Sequence, residues 1–171
     1  MTMSLPTRGL LFLALALTAG AARAALRPGD PFPALAGADL AGGRLPATRG
    51  RVVLVDFWAS WCAPCRDSFP AYARLQDAYA ARGLVIVAVS VDRDATAFAA
   101  FVDRFHPPFA AVDDRTQRLV RAVSVPAMPT SYLLDRAGRV RFVHEGFHGE
   151  GTEQELRHEI DALLAEPFRS P

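Results

Sequence analysis

Two runs of the chain are apolar at nearly every position, and a segment with helical spacing separates them. The runs cover residues 51–57 and 84–91, and apolar side chains on both faces are typical of strands inside a covered sheet. Residues 63–82 predict a helix that is bent at Pro70 and ended by Gly83. Its stripe repeats every three or four residues and comprises Phe69, Tyr72, Gln76 and Tyr79.

The second half of the chain continues this alternation of helices and strands. Asp94 is placed to cap a helix, and a short strand is expected at 109–112. Residues 131–134 and 140–147 predict two strands joined by a tight turn, which together form an antiparallel hairpin. The helical stripe after Asp94 comprises Phe98, Phe101, Val102 and Phe105. The pattern predicts an α/β fold with helices on both faces of a mixed sheet.

The two ends of the predicted domain carry turn and capping signals. Residues 26–49 are rich in Pro, Gly and Ala and predict an irregular lead-in with a small hairpin centred on Gly42-Gly43. The last helix is expected to start at a capping box formed by Thr152 and Glu155.

The first 24 residues have the layout of a secretory signal peptide. A basic residue precedes an apolar run at 9–17, and Ala22-Arg23-Ala24 provides a small-x-small cleavage site. The run is shorter than the roughly 20 residues of a membrane-spanning helix, so we expect cleavage; an uncleaved anchor over residues 10–22 is the alternative. The prediction is a periplasmic or otherwise extracytoplasmic protein with one domain at 25–171, which touches the membrane only if this segment is retained.

Composition limits the size and the partners of the protein. The 171 residues, 51% of them hydrophobic, suffice for one domain with a full core. The formal net charge is +1, and all 19 basic residues are arginines scattered among 18 acidic ones. Since no basic patch stands out, we expect no nucleic-acid partner. We also expect a monomer.

Cys62 and Cys65 are the only cysteines, and they stand where the first strand gives way to the predicted helix. Two thiols at this spacing can close a disulfide, and a helix N-terminus lowers the pKa of a thiol, which favours the thiolate. Cys62 is therefore the predicted nucleophile and Cys65, shielded in the first turn, the resolving thiol. We expect no cofactor beyond this redox-active Cys62–Cys65 disulfide.

Two other uses of the cysteines are less favoured. A zinc site needs about four ligands, and the histidines offer only one His-x3-His pair, His144 and His148, so we expect no metal. A permanent structural bridge gains little because it closes a very short loop.

The stretch Leu54 to Cys65, with Pro70 beyond it and Met128-Pro129-Thr130 before the closing hairpin, resembles the thioredoxin superfamily. The exported start, the lead-in Arg27-Pro28-Gly29-Asp30 and an extra αβ unit at about residues 93–112 resemble the extracytoplasmic TlpA/ResA/CcmG-type thiol-disulfide oxidoreductases. The resemblance implies a thioredoxin-like fold, in which a central mixed sheet flanked by helices carries an N-terminal hairpin extension and a central αβ insertion.

The resemblance also implies roles for residues around the cysteines. Pro129 would form a cis peptide bond beside the disulfide, and the backbone of Met128 would pair with an extended substrate segment. An ordinary loop proline and a simple rim aromatic are the alternatives for Pro129 and Trp61. The predicted substrate-binding residues are Trp61, Ala63, Pro64, Met128 and Thr130.

Asp56 stands where the apolar strand pattern calls for a hydrophobic residue. Proteins of the TlpA/ResA type often carry a glutamate three residues after the second cysteine and an asparagine six before the first, where this chain has Ser68 and Asp56. Cytosolic thioredoxin has an aspartate at the latter position and pairs it with a lysine, for which Ala88 is the nearest equivalent here. We interpret Asp56 as a buried carboxyl group with a raised pKa that accepts the proton of Cys65. The alternative is a strand-end aspartate bonded to a turn.

The predicted function is an exported thiol-disulfide oxidoreductase that reduces protein disulfides. The resemblance alone implies a pathway such as cytochrome c maturation or copper-centre assembly, with protein disulfide or dithiol substrates and a membrane-embedded electron donor. A thiol peroxidase is the alternative enzyme, although the Pro-x-x-x-Thr-x-x-Cys arrangement of peroxiredoxins is missing around Cys62. A non-catalytic thioredoxin-fold binding module is the third hypothesis.

Overall fold

The structure, a computed structural model, describes residues 24–167. The predicted signal peptide lies outside these residues except for Ala24. Across the described part of the chain, none of the helices is long and apolar enough to cross a membrane.

Five strands form one mixed sheet at the centre of the domain. The strands are β1 (Val52–Trp58), β2 (Leu84–Ser90), β3 (Ala110–Asp113), β4 (Thr130–Leu134) and β5 (Val140–Glu145). Their order is β3-β2-β1-β4-β5; β1, β2 and β3 are parallel, whereas β4 is antiparallel to both β1 and β5. The structure thus confirms the mixed sheet and its closing hairpin.

Helices connect and cover the strands. They are α1 (Ala63–Tyr79), α2 (Ala95–Phe105), α3 (Arg118–Val123) and α4 (Glu150–Ala165). Helix α1 runs through Pro70, and a 3-10 turn at Ala80–Arg82 follows it. The predicted cap of α2 is present, because Asp94 accepts a hydrogen bond of 2.8 Å from the backbone of Thr96. The α2–β3 unit is the predicted central insertion.

Both faces of β1 are buried, which explains its continuous apolar run. Val52 and Leu54 pack with α1 and α4 in one apolar cluster, while Val53 and Val55 pack on the other face with α3. The N-terminal segment covers this second face through residues such as Phe32. One consequence is that Asp56, which follows the alternation of Val52 and Leu54, belongs to the face under α1.

The predicted N-terminal hairpin is wrong. Within the described residues, the lead-in forms two isolated bridges to the main sheet, one from Pro31 to Arg139 and one from Ala41 to Asp113. The glycines serve this contact: a Cβ atom at Gly43 would lie 2.2 Å from the carbonyl oxygen of Ala111. The segment therefore pairs with distant edges of the sheet and not with itself.

The start of α4 also differs from the prediction. The cap is Gly149, whose positive φ of 69° turns the chain into a helix that begins at Glu150. Thr152 lies inside the first turn, where its Oγ1 accepts a hydrogen bond of 3.1 Å from the backbone of His148. The helix thus begins before the residue that the capping box had marked.

Candidate active site

The two cysteines form a disulfide at the N-terminus of α1. Cys62 is the N-cap, in extended conformation, and its Sγ accepts a hydrogen bond of 3.3 Å from the backbone N–H of Cys65. Pro64 fits in this first turn because its missing N–H would have had no partner there. Cys62 is 4% exposed and Cys65 is fully buried. Their roles as nucleophile and resolving thiol stay predictions.

The residues around Cys62 differ sharply in exposure. Trp61 is 69% exposed, and Ala63 and Pro64 also lie at the surface. Trp58, by contrast, is fully buried and packs with Phe69 and with the phenylalanines of α2. Trp61 is thus available to a substrate, whereas Trp58 belongs to the core.

The loop before β4 lies at the same end of the sheet. Met128–Pro129 is a cis peptide bond, as the resemblance implied. Thr130 pairs with Phe57 near the end of β1, and Met128 is half-buried against the apolar cluster that contains both cysteines. Thr130 itself is fully buried, so its role in substrate binding stays a prediction.

Asp56 is fully buried within β1. Its Oδ1 accepts a hydrogen bond of 3.0 Å from the hydroxyl of Tyr72, while its Oδ2 has no partner among the described residues. Burial raises the pKa of Asp56 well above its usual value, and the bond from Tyr72 only partly opposes this. Its partner on β2 is Ala88, which carries no charge. The structure therefore shows the expected buried acid, not an aspartate bonded to a turn; its role in proton transfer stays a prediction.

Tyr72 and Ser68 follow Cys65 on one side of α1, since the spacing of three and four residues places them on the same helical face. The Ser68 hydroxyl donates a hydrogen bond of 2.9 Å to the carbonyl oxygen of Cys65. Burial above all, and then the Asp56 carboxylate, raise the pKa of Tyr72, while hydrogen bonding with Ser131 and Ser68 opposes the rise. Tyr72 hence stays a protonated donor to Asp56.

Sequence reasoning counted Tyr72 only as part of an apolar stripe. Its hydroxyl partner comes from β1, so no local pattern could reveal the pair. The shared helical face of Cys65, Ser68 and Tyr72 was the available signal.

Asp92 is a second buried carboxyl group that the sequence analysis did not identify. It follows β2, and its two oxygens accept hydrogen bonds from the backbone and the hydroxyl of Ser60, each 2.9 Å long. Ser90 donates a third bond, also of 2.9 Å. The carboxyl ends of parallel strands meet at one edge of a sheet, so Asp92 fixes the turn that leads from β1 to Cys62.

One histidine of the pair considered for zinc, His144, has a carboxylate partner. Nε2 of His144 lies 2.7 Å from a carboxylate oxygen of Glu159, and residues 24–167 contain no group of three or more His, Cys, Asp and Glu side chains suited to hold a metal ion.

A disulfide at a helix N-terminus, with both cysteines in a buried aromatic cluster and a buried acid on the strand that leads to the helix, is suited to thiol–disulfide exchange. The family model described as Redoxin matches residues 27–160, so the chain belongs to this family. Fold and site together define a thiol-disulfide oxidoreductase of the TlpA/ResA/CcmG type within the thioredoxin superfamily.

Named relatives agree with this class. The chain is 30% identical over 143 residues to the thiol-disulfide oxidoreductase ResA of Geobacillus thermodenitrificans, covering 82% of this chain and 80% of that protein. It is 33% identical over 120 residues to the thioredoxin-like protein YneN of Bacillus subtilis, covering 68% of each. A crystal structure assigned as the thiol:disulfide interchange protein DsbE of Chlorobium tepidum matches with a TM-score of 0.75 and 34% identity, over 82% of this chain and 100% of that one.

Proposed function

We propose that the protein is an exported dithiol reductant of protein disulfides, of the type that serves cytochrome c maturation or copper-centre assembly. The observation that carries this proposal is the Cys62–Cys65 disulfide at the start of α1, in which Cys65 is fully buried and Cys62 directly follows the exposed Trp61. The apolar run at residues 9–17 and the cleavage signal after it support export.

The reduced form performs the reaction in two exchanges. The Cys62 thiolate attacks one sulfur of a substrate disulfide, so that a mixed disulfide forms and one substrate thiolate leaves. Cys65 then loses its proton to the Asp56 carboxylate and attacks Sγ of Cys62, which closes the Cys62–Cys65 bond and releases the second substrate thiolate. Two electrons pass to the substrate, and a membrane-embedded donor restores the dithiol.

Few groups could stabilise a Cys62 thiolate. This supports the proposed direction of electron flow, in which the protein donates electrons to its substrate. Strongly oxidising dithiols owe their potential to a stabilised reduced form. Among the described residues, the hydrogen-bond donor to Sγ of Cys62 is the backbone N–H of Cys65. Ala63 and Pro64 add no charge, and a guanidinium nitrogen of Arg66 lies 3.5 Å from the carbonyl oxygen of Ser60. These surroundings stabilise the reduced form of the pair only weakly, which favours a reductant.

Substrate binding is assigned to the surface around Cys62. The exposed indole of Trp61 offers apolar contact, and Ala63 and Pro64 leave room for a polypeptide beside the sulfur. The backbone of Met128 pairs with an extended segment of the substrate, as in other complexes formed by strand addition. A single copy of the chain suffices for these contacts.

Two cysteine variants test the proposal. The substrate is a folded protein that has one accessible disulfide. The Cys65→Ser variant lacks the resolving thiol and should accumulate a mixed disulfide on Cys62, seen by non-reducing electrophoresis and mass spectrometry. The Cys62→Ser variant keeps one thiol, but it should form no adduct and reduce substrate only at the background rate.

Two results would overturn the assignment. Disulfide reduction that survives the Cys62→Ser change would favour the binding-module hypothesis. Turnover of hydrogen peroxide by Cys62 that is faster than disulfide exchange would favour the peroxidase.

A further inference from the structure

We propose that Tyr72 is the positioning residue for Asp56, holding its carboxyl group for proton exchange with Cys65 in a protein that has no lysine for this purpose. The inference rests on the proposed role of Asp56 as the proton acceptor.

The two oxygens of the Asp56 carboxyl group have different surroundings. Oδ1 accepts the hydrogen bond from the Tyr72 hydroxyl at 3.0 Å, while Oδ2 has no partner in the part of the chain that the structure describes. A hydrogen bond to one oxygen fixes the plane of the carboxyl group and stabilises its charged form. The other oxygen is then the one left to take and return a proton.

The same hydroxyl connects Asp56 to the helix that carries Cys65. Tyr72 and Ser68 lie on the face of α1 that also carries Cys65, and Ser68 donates to the carbonyl oxygen of Cys65 at 2.9 Å. Asp56, Tyr72, Ser68 and Cys65 are all buried, so Tyr72 ties the carboxyl group to this helical face away from solvent. A hydrogen bond in a buried, low-dielectric site is stronger than the same bond in water, which favours a fixed orientation of the Asp56 carboxyl group.

Other groups on this face of the sheet do not replace Tyr72. The ionisable groups that α1, α4 and β5 bring to this side of the sheet include Cys65, Tyr72, Arg74, Tyr79, His144, Glu153, Arg157, Glu159 and Asp161. Tyr79 bonds to Asp161, Glu153 to Arg157, and His144 to Glu159. From β2 and β4 come Ala88 and Ser131, neither of which carries a charge, and α2 contributes phenylalanines.

The Tyr72→Phe variant removes the hydroxyl and keeps the ring. Loss of this donor destabilises the Asp56 carboxylate, so its pKa rises further and a smaller fraction accepts the proton of Cys65 at a given pH. In single-turnover reduction of a substrate disulfide, we expect the midpoint of the pH–rate profile to move to higher pH. Below that midpoint, the closing step should slow by about tenfold, the size expected for one hydrogen bond to a charged group.

Tyr132→Phe is the matched control. It deletes the same atom from another buried tyrosine, whose hydroxyl has no partner among the described residues and which packs in the cluster on the opposite face of the sheet. Its profile should coincide with that of the unchanged protein. A direct readout is the titration of the Asp56 side-chain carboxyl resonance by NMR in the reduced protein, which also reports whether each variant is folded.

The outcomes separate this inference from the function on which it rests. Tyr72 is refuted as the positioning residue if Tyr72→Phe and Tyr132→Phe give the same profile and the same titration. The Asp56→Asn variant tests the acceptor itself: if the pH-dependent limb persists in Asp56→Asn, the proposed role of Asp56 fails first. If Asp56→Asn removes the limb and Tyr72→Phe leaves it in place, only the role of Tyr72 is lost.

Discussion

Asp56 shows at the scale of one residue how a break in a pattern marks a chemical group. The strand around it is apolar because both faces of the sheet are covered, and a carboxyl group in that position loses its hydration. Burial is the largest cause of its raised pKa, and one hydrogen bond from Tyr72 is the compensation that the structure provides. Burial of the Asp56 carboxyl group thus costs folding free energy, and its proposed use in proton transfer accounts for that cost.

This cost gives a stability prediction that depends on pH. Since the pKa of Asp56 is higher in the folded protein than in the unfolded chain, the group's contribution to the free energy of unfolding is greatest below about pH 4 and declines until pH passes the folded pKa. Asp56→Asn has no such decline. The difference between its free energy of unfolding and that of the unchanged protein should therefore increase by up to ~1.4 kcal/mol per pH unit in that window. Denaturant unfolding of the oxidised forms at several pH values measures this.

An exposed acid provides the comparison. Asp94→Asn removes a carboxylate that lies at the surface, so it is the control for the loss of one negative charge without the loss of a buried acid. A curve for Asp56→Asn that runs parallel to that of the unchanged protein would contradict the raised pKa of the buried Asp56 carboxyl group.

At the residue scale, sequence reasoning identified the burial of Asp56 because a strand that is apolar on both faces leaves no exposed position. It did not identify Tyr72 as the hydroxyl donor, because the pair joins α1 to β1 and depends on how the helix is rotated over the sheet. Asp92 was not identified from the sequence for the same reason, since its partner Ser60 follows a different strand.

At the scale of elements, the site depends on the loop after β2 as much as on α1. Asp92 accepts three hydrogen bonds, two of them from Ser60, and thereby ties the end of β2 to the turn before Cys62. This turn leads directly into Cys62, the N-cap of α1.

Asp92→Ala is therefore expected to affect both stability and reactivity. Three donors lose their acceptor, which should lower the free energy of unfolding by about 1–3 kcal/mol. Misplacement of Cys62 should slow substrate reduction by about tenfold. Asp94→Ala, which removes a helix cap two residues away, should lower stability by about 0.5–2 kcal/mol and leave the rate unchanged. Equal rates in the two variants would show that Asp92 does not position the site.

Elements with strong local periodicity were predicted well, while segments whose partners are distant were not. The strands and helices from β1 to β5 follow hydrophobic spacing that is set within a few residues. The lead-in carries glycines that suggested a hairpin, yet Ala41 pairs with Asp113 on β3. Such pairing depends on the finished sheet.

At the scale of the whole molecule, two apolar layers hold one redox centre. The N-terminal segment and α3 cover one face of the sheet, and α1, α2 and α4 cover the other, where an aromatic cluster around Trp58 encloses Cys65. Both cysteines belong to this cluster, with Cys65 fully buried and Cys62 4% exposed. The fold and the disulfide thus define the class of reaction, and the direction of electron flow stays a proposal.

The reduction potential of the Cys62–Cys65 pair tests the central claim most directly. Related dithiols range from about −270 mV for reductants to about −120 mV for a strong oxidant whose reduced form is stabilised. Because one backbone N–H is the donor to Sγ of Cys62 within the described residues, we expect a titration against glutathione to give a value near the −270 mV end. A value near −120 mV would contradict the reductant and indicate an oxidase.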